Sequence, residues 1–167
     1  PMSDASQKNI DALNAVLGET FRLYVQTHGY HWNVEGPNFR QLHVLFEEQY
    51  QNLWGALDEI AERIRTQGAY APGSIADLMA LAAPEDTPAQ SSTEMMTKLI
   101  AGHEALAETL RGAIAASGDA GDEVSAGVLH GDEQAGGERV STAACQHERL
   151  TCDRATAFAA GIERQST

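Results

Sequence analysis

The chain has 167 residues, enough for one domain with a real core, and its 43% apolar and 21% charged content excludes general disorder. Eleven Lys and Arg stand against 24 Asp and Glu, a net charge of −13, which argues against coating nucleic acid or anionic membrane by bulk charge. Two cysteines, Cys145 and Cys152, exclude a disulfide scaffold or a Cys-based zinc site, and no apolar run is long enough to span a membrane. Residues 1–8 are polar, without the apolar core of a signal peptide, so the expectation is a soluble cytoplasmic protein.

The apolar period is helical throughout. Ile10, Leu13, Leu17, Phe21 and Tyr24 form the stripe of a first helix, with Asp4 and Gln7 as its expected cap and Gly36-Pro37 as its stop. A second helix is expected from Asn38, with Gln41 as capping-box partner, through Leu42, Leu45, Phe46, Leu53, Leu57, Ile60 and Ile64 to Gly68. After the turn Ala71-Pro72-Gly73, Ser74 is placed to cap a short helix, Ile75 to Leu81. Residues 83–90 contain Pro84 and Pro88 and read as a linker. Ser91 and Glu94 form a capping box for a third stripe, Met96, Leu99, His103, Leu106 and Leu110, which closes near Gly118. Asp122 is placed to cap a fourth long helix. Four long helices, one short one and no alternating strand pattern predict an all-α four-helix bundle, and the long connection between the second and third long helices predicts a crossover.

The second helix carries another periodic face: His43, Glu47, Tyr50, Trp54, Asp58 and Glu62. A solvated face rarely holds two large aromatics, so this face is expected to pack against a second copy of the chain. Imidazole with carboxylate suits iron, zinc or manganese. His43 and Asp58 are 15 residues apart, roughly 22 Å along one helix, too far to share a metal within one chain. They meet if two copies of the helix cross antiparallel, so that His43 of one faces Asp58 and Glu62 of the other across a two-fold axis. His31, near the end of the first helix, is placed to join His43 from the same chain. Taken singly, His28 and His31 read as core histidines and His43/Glu47 as a solvated pair. His103, His130 and His147 have no carboxylate pattern beside them and read as structural.

The string Tyr30-His31-Trp32-Asn33-Val34, Gly36, Phe39, Leu42-His43, Phe46-Glu47, Tyr50, Asp58 and Ala61-Glu62-Arg63 closely resembles the Dps family, the dodecameric mini-ferritins named as DNA-binding proteins from starved cells. The resemblance covers about residues 5–125 and implies a ferritin-like four-helix bundle with a short helix between the second and third long helices. It implies a ferroxidase site to which His31 and His43 come from one subunit and Asp58 and Glu62 from its partner. Glu47 falls where the family often has an acidic residue binding metal or a bridging water, and Trp32 falls beside the site. The implied substrate is iron, Fe(II) oxidised to Fe(III) by hydrogen peroxide or dioxygen and stored as mineral in a homo-oligomeric cage. Asp122 matches one acidic position of the family's iron-entry pore.

Past about residue 130 the chain departs from the family pattern. Gly131, Gly136 and Gly137, each costing about 1 kcal/mol against Ala, are expected to interrupt the fourth helix. The expected division is a bundle over 1–150 and a C-terminal tail over 151–167, with Phe158 and Ile162 as the tail's large apolar groups. The alternative function is a DNA-binding or DNA-compacting stress protein. Against it, residues 1–8 hold one Lys and one Asp, and the arginines after 138 are balanced by acids. A conventional di-iron bundle fails on spacing, because no histidine here has Glu three residues before it.

Overall fold

The computed structural model describes residues 3–82, 89 and 91–164, with side chains through residue 152. Its helices are α1 (Asp4–Asn33), α2 (Phe39–Thr66), α3 (Ile75–Leu81), α4 (Ser92–Asp119) and α5 (Glu123–Arg164), and the described residues hold no strand. The linker expected over 83–90 lies, apart from Ala89, outside the described residues.

Side-chain contacts fix the topology. His31 meets His43 and Tyr24 meets Trp54, so α1 and α2 run antiparallel. Ser117 donates to Asn9 at 2.8 Å, while Gly102 sits against Leu23, so α4 is antiparallel to α1 as well. Helices α2 and α4 therefore run in the same direction, on opposite corners of the bundle. A chain that leaves the end of α2 and enters α4 in the same direction must travel the length of the bundle, which is the expected crossover. Arg111 reaches Glu133 and Thr97 reaches His147, so α5 returns antiparallel along α4.

The stripes predicted for α2 and α4 are buried almost entirely, with Phe46, Leu53, Ile64, Met96 and Leu99 at the centre. On α1 the large buried apolar residues are Ile10, Leu13, Val16, Leu17, Leu23 and Tyr30, whereas Phe21 and Tyr24 stay half-buried. Two caps form as expected: Ser74 accepts from the Asp77 N–H, and Ser91 accepts from the Glu94 N–H. Two do not. Ser3, rather than Asp4, caps α1 by accepting from Ser6, and Asn38 makes no side-chain cap bond.

The glycines expected to interrupt the last helix do not. The backbone is helical from Glu123 to Arg164. Leu129, Ala143 and Leu150 are buried along this helix, and its packing on α4 outweighs the propensity lost at Gly131, Gly136 and Gly137. The boundary expected at residue 150 falls within α5, and Phe158 and Ile162 have side chains outside the described residues. The glycines that do stop helices are Gly68 and Gly121, at φ of +86° and +71°.

The short helix α3 closes onto α1 at Gly18. A Cβ there would lie 2.5 Å from the Leu81 Cβ and 2.8 Å from its carbonyl carbon. Gly18→Ala is therefore expected to lower stability by about 1–3 kcal/mol, as overpacking does. Gly112→Ala, where a Cβ meets nothing within 4 Å, is expected to raise it by up to about 1 kcal/mol. Thermal unfolding of both variants beside the parent checks the opposite signs.

Candidate functional site

The short connection between α1 and α2 brings the end of one helix against the start of the next. There the His31 and His43 rings stack at 3.7 Å between centroids, 22° from parallel. Each Nδ1 lies 2.9 Å from the other residue's backbone carbonyl oxygen. A carbonyl only accepts, so each Nδ1 carries the proton and donates it. In a neutral ring this fixes the tautomer, with the proton on Nδ1 and the lone pair on Nε2. Phe39 stacks on His43 from the other side, at 4.9 Å.

The carboxylates lie elsewhere. Asp58 and Glu62 are exposed near the far end of α2, a turn apart, and Glu47 is half-buried, with Gln51 3.5 Å away at the limit of a hydrogen bond. Among the described residues, no three His, Cys, Asp or Glu side chains of the chain lie close enough together to hold a metal ion. The structure thus brings together His31 and His43 and leaves Asp58 and Glu62 apart from them.

Between the two groups runs an aromatic surface. His28 stacks on Tyr50 at 3.9 Å and 16°, packs on Trp32 at 4.3 Å, and pairs its Nδ1 with the Tyr24 hydroxyl at 3.3 Å. Burial, helped by the charge of His31, lowers the His28 pKa. Tyr24 reaches Trp54 at 5.4 Å. Trp32 and Trp54 are 67% and 62% exposed, a large apolar area left uncovered by this chain. Beside Trp54 an apolar groove runs between Leu17, Phe21, Leu57, Pro72 and Leu78.

Asp122 is a hub rather than an open acid. It caps α5 through the Ser125 N–H, accepts from Arg63 at 3.0 Å, and accepts from Asn9 and Gln67 at 3.1 and 2.6 Å. Its expected place in an iron-entry pore competes with the bonds these groups already make. Burial pushes its carboxyl up, but the bonds from Ser125 and Asn9 and the charge of Arg63 outweigh that, and the net shift is downward. Arg63 ties α2 to the head of α5, through Asp122 and through Ser125 at 2.9 Å. His103 stays structural as expected. It is buried in the core, bonded through Nε2 to Gln49 at 3.2 Å, and pushed down to about 3 by burial and then by Arg139.

The Asp122 shift has a definite sign. A carboxyl with a lowered folded pKa stabilises the fold above its unfolded value, about 3.9, and loses that contribution as pH falls through the lower folded value. Asp122→Ala is expected to cost about 2–4 kcal/mol at pH 7, from the lost cap and the unpaired Arg63, and the gap to the parent is expected to shrink below pH 4. Denaturant unfolding of both proteins across pH checks this.

Comparison with known proteins agrees with the architecture. The ferritin-like domain family matches residues 10–132. The chain is 43% identical over 114 residues to an uncharacterised low temperature-induced protein of Nostoc sp., covering 66% of this chain and 63% of that one. The matched segment thus spans less than two thirds of that relative. The chain is 35% identical over 118 residues to the DNA protection during starvation protein of Brevibacillus brevis, covering 70% of this chain and 79% of that one. Among solved structures it superposes on a Dps protein from Bacillus brevis with a TM-score of 0.83, at 30% identity, covering 87% of this chain and 98% of that one. A Dps protein from Vibrio cholerae O1, described as a member of a superfamily of ferritin-like diiron-carboxylate proteins, gives 0.80 at 31% identity over 85% and 90%. With the four-helix bundle, the crossover and the short α3 all in place, the chain belongs to the Dps family of ferritin-like proteins.

Proposed function

We propose that the protein is an iron-storing mini-ferritin whose ferroxidase site is built between two subunits. The observation that carries this is the reciprocal pairing of His31 and His43. Two imidazoles held by each other's backbone are a pre-organised half of a metal site, and among the described residues no further side chains of the same chain gather with them into a set of three ligands. The complement is present on the same helix, in Asp58 and Glu62. A second copy docking antiparallel across the exposed Trp32 and Trp54 surface supplies them. The two-fold axis then makes two equivalent sites.

In this reading His31 and His43 bind Fe(II) through Nε2. Asp58 and Glu62 of the second copy neutralise and bridge it, with Glu47 at its edge. Carboxylate oxygens favour the harder Fe(III) product. Two Fe(II) ions give up one electron each, so hydrogen peroxide takes both electrons and two protons and leaves as two waters, without releasing a hydroxyl radical. Dioxygen is the slower alternative. The ferric product accumulates inside a homo-oligomeric, dodecameric cage in the cytoplasm. The net charge of −13 and the balanced tail speak against the DNA-compacting alternative. No helix among the described residues is long and apolar enough to cross a membrane.

The test is anaerobic loading with Fe(II), addition of hydrogen peroxide, and ferric absorbance against time. Asp58→Ala is expected to slow oxidation by at least about tenfold, since even outer-shell changes at metal sites cost about 10–100-fold. Size exclusion confirms that both proteins assemble. Equal rates would place the chemistry outside the interface.

A further inference from the structure

The two ends of the α1–α2 surface are unlike. One end carries the stacked His31 and His43 and, beside them, Trp32, which packs on His28 at 4.3 Å and is 67% exposed. The other end carries the exposed Asp58, Glu59 and Glu62 and an open groove of about 790 Å³. Leu17, Phe21, Leu57 and Leu78 wall this groove, and Asp58 and Glu59 give it an acid edge.

An apolar groove and an exposed indole are each unfavourable in water. They cannot relieve each other within one chain. Trp32 and Phe21 are 11 residues apart on α1, roughly 16 Å along the helix. A second copy removes that distance. The two-fold axis that brings His43 of one copy to Asp58 and Glu62 of the other crosses α2 between them, and it turns the whole surface end for end. His31 is level with His43, and Tyr24 with Trp54, so the next turns of α1 reach Phe21 and Leu17 beside Leu57. Trp32, one residue from His31, is therefore carried onto the groove of the other copy.

Charge and shape agree with this placement. Imidazoles at one end meet carboxylates at the other once the surface is turned. An indole has a flat apolar body and one N–H donor, which matches apolar walls with a carboxylate edge. Phe39, also exposed at the histidine end, has no donor, and its ring is already stacked on His43.

We propose that Trp32 of each copy seats in the groove of the other, a reciprocal latch that holds the two α1–α2 surfaces in register. The inference rests on the two-fold docking proposed above and names the contact that fastens it. Trp32 acts as an anchor and holds no iron.

The test is disulfide trapping in the assembled protein, with the exposed Cys145 and Cys152 replaced by Ser. Chains with Trp32→Cys are co-assembled with chains with Phe21→Cys and oxidised with diamide, which takes both thiol hydrogens as the disulfide forms. A disulfide-linked pair on a non-reducing gel is expected from the mixture and from neither variant alone, since the axis keeps like positions apart. In a second measurement, Trp54→Phe leaves Trp32 as the only tryptophan, and its emission is expected to shift to the blue on assembly. Trp32→Ala is expected to raise the concentration at which the assembly dissociates by about thirtyfold or more, as loss of an interface hot spot does. No trapping in the mixture, or equal trapping in the single variants, overturns the proposal, as does a Trp32 emission that stays that of an exposed indole. Oxidation that still depends on Asp58, without trapping, overturns the latch alone and leaves the shared metal site standing. Trapping together with oxidation independent of Asp58 sustains the latch and overturns the shared site.

Discussion

A backbone carbonyl can only accept a hydrogen bond, and where α1 meets α2 two carbonyls each face an imidazole of the opposite helix. Their reciprocal bonds at 2.9 Å do three things together. They pin the antiparallel pairing of the helices at one end. They stack two rings that would otherwise sample several rotamers. They engage Nδ1 of each ring and not Nε2. The hydrogen bonds that fasten the helix pair are the same ones that orient the two histidines of the proposed site.

From that constraint the asymmetry of α2 follows. One face is committed to the core through Leu42, Phe46, Leu53, Ile60 and Ile64. Another face carries the two histidine-side and carboxylate-side groups, too far apart along a rigid rod to act together. Exposed Trp32 and Trp54 lie between them, and leaving so much aromatic surface in water is unfavourable. The proposed docking of a second copy answers both problems at once. It covers the aromatics and closes the distance between the histidines and Asp58. The opposite end of the bundle is held differently, by Asp122 drawing α1, α2 and the head of α5 together through Asn9, Gln67, Arg63 and Ser125.

Much of this was legible in the sequence because it depends on period and local chemistry. The stripes of α2 and α4 follow from helical spacing, and Ser74 and Ser91 cap because a short hydroxyl followed by a helix start has few better uses. Asp4 and Asn38 carry the same local signal, yet Ser3 caps α1 and Asn38 makes no side-chain cap bond. Spacing along α2 also pointed to a site between chains. What sequence could not show depends on tertiary contact. Gly131, Gly136 and Gly137 oppose a helix locally, but α5 is held along α4 by burial of distant residues. The carbonyl partners of His31 and His43 carry no side-chain signal. The meeting of Gln49 and Arg139 in one cleft joins residues 90 positions apart on different helices.

The claim on which the account rests is that one site takes residues from two chains. Co-assembly of two inactive variants tests it most directly. His43→Ala and Asp58→Ala are each expected to oxidise Fe(II) slowly alone. In a mixed pair one site loses both residues, and the other regains an intact set from two chains. Random co-assembly in equal amounts is then expected to restore about one quarter of the parent's rapid oxidation with peroxide, since half the pairs are mixed and each has one working site of two. A mixed assembly no faster than the separate variants would contradict the shared site.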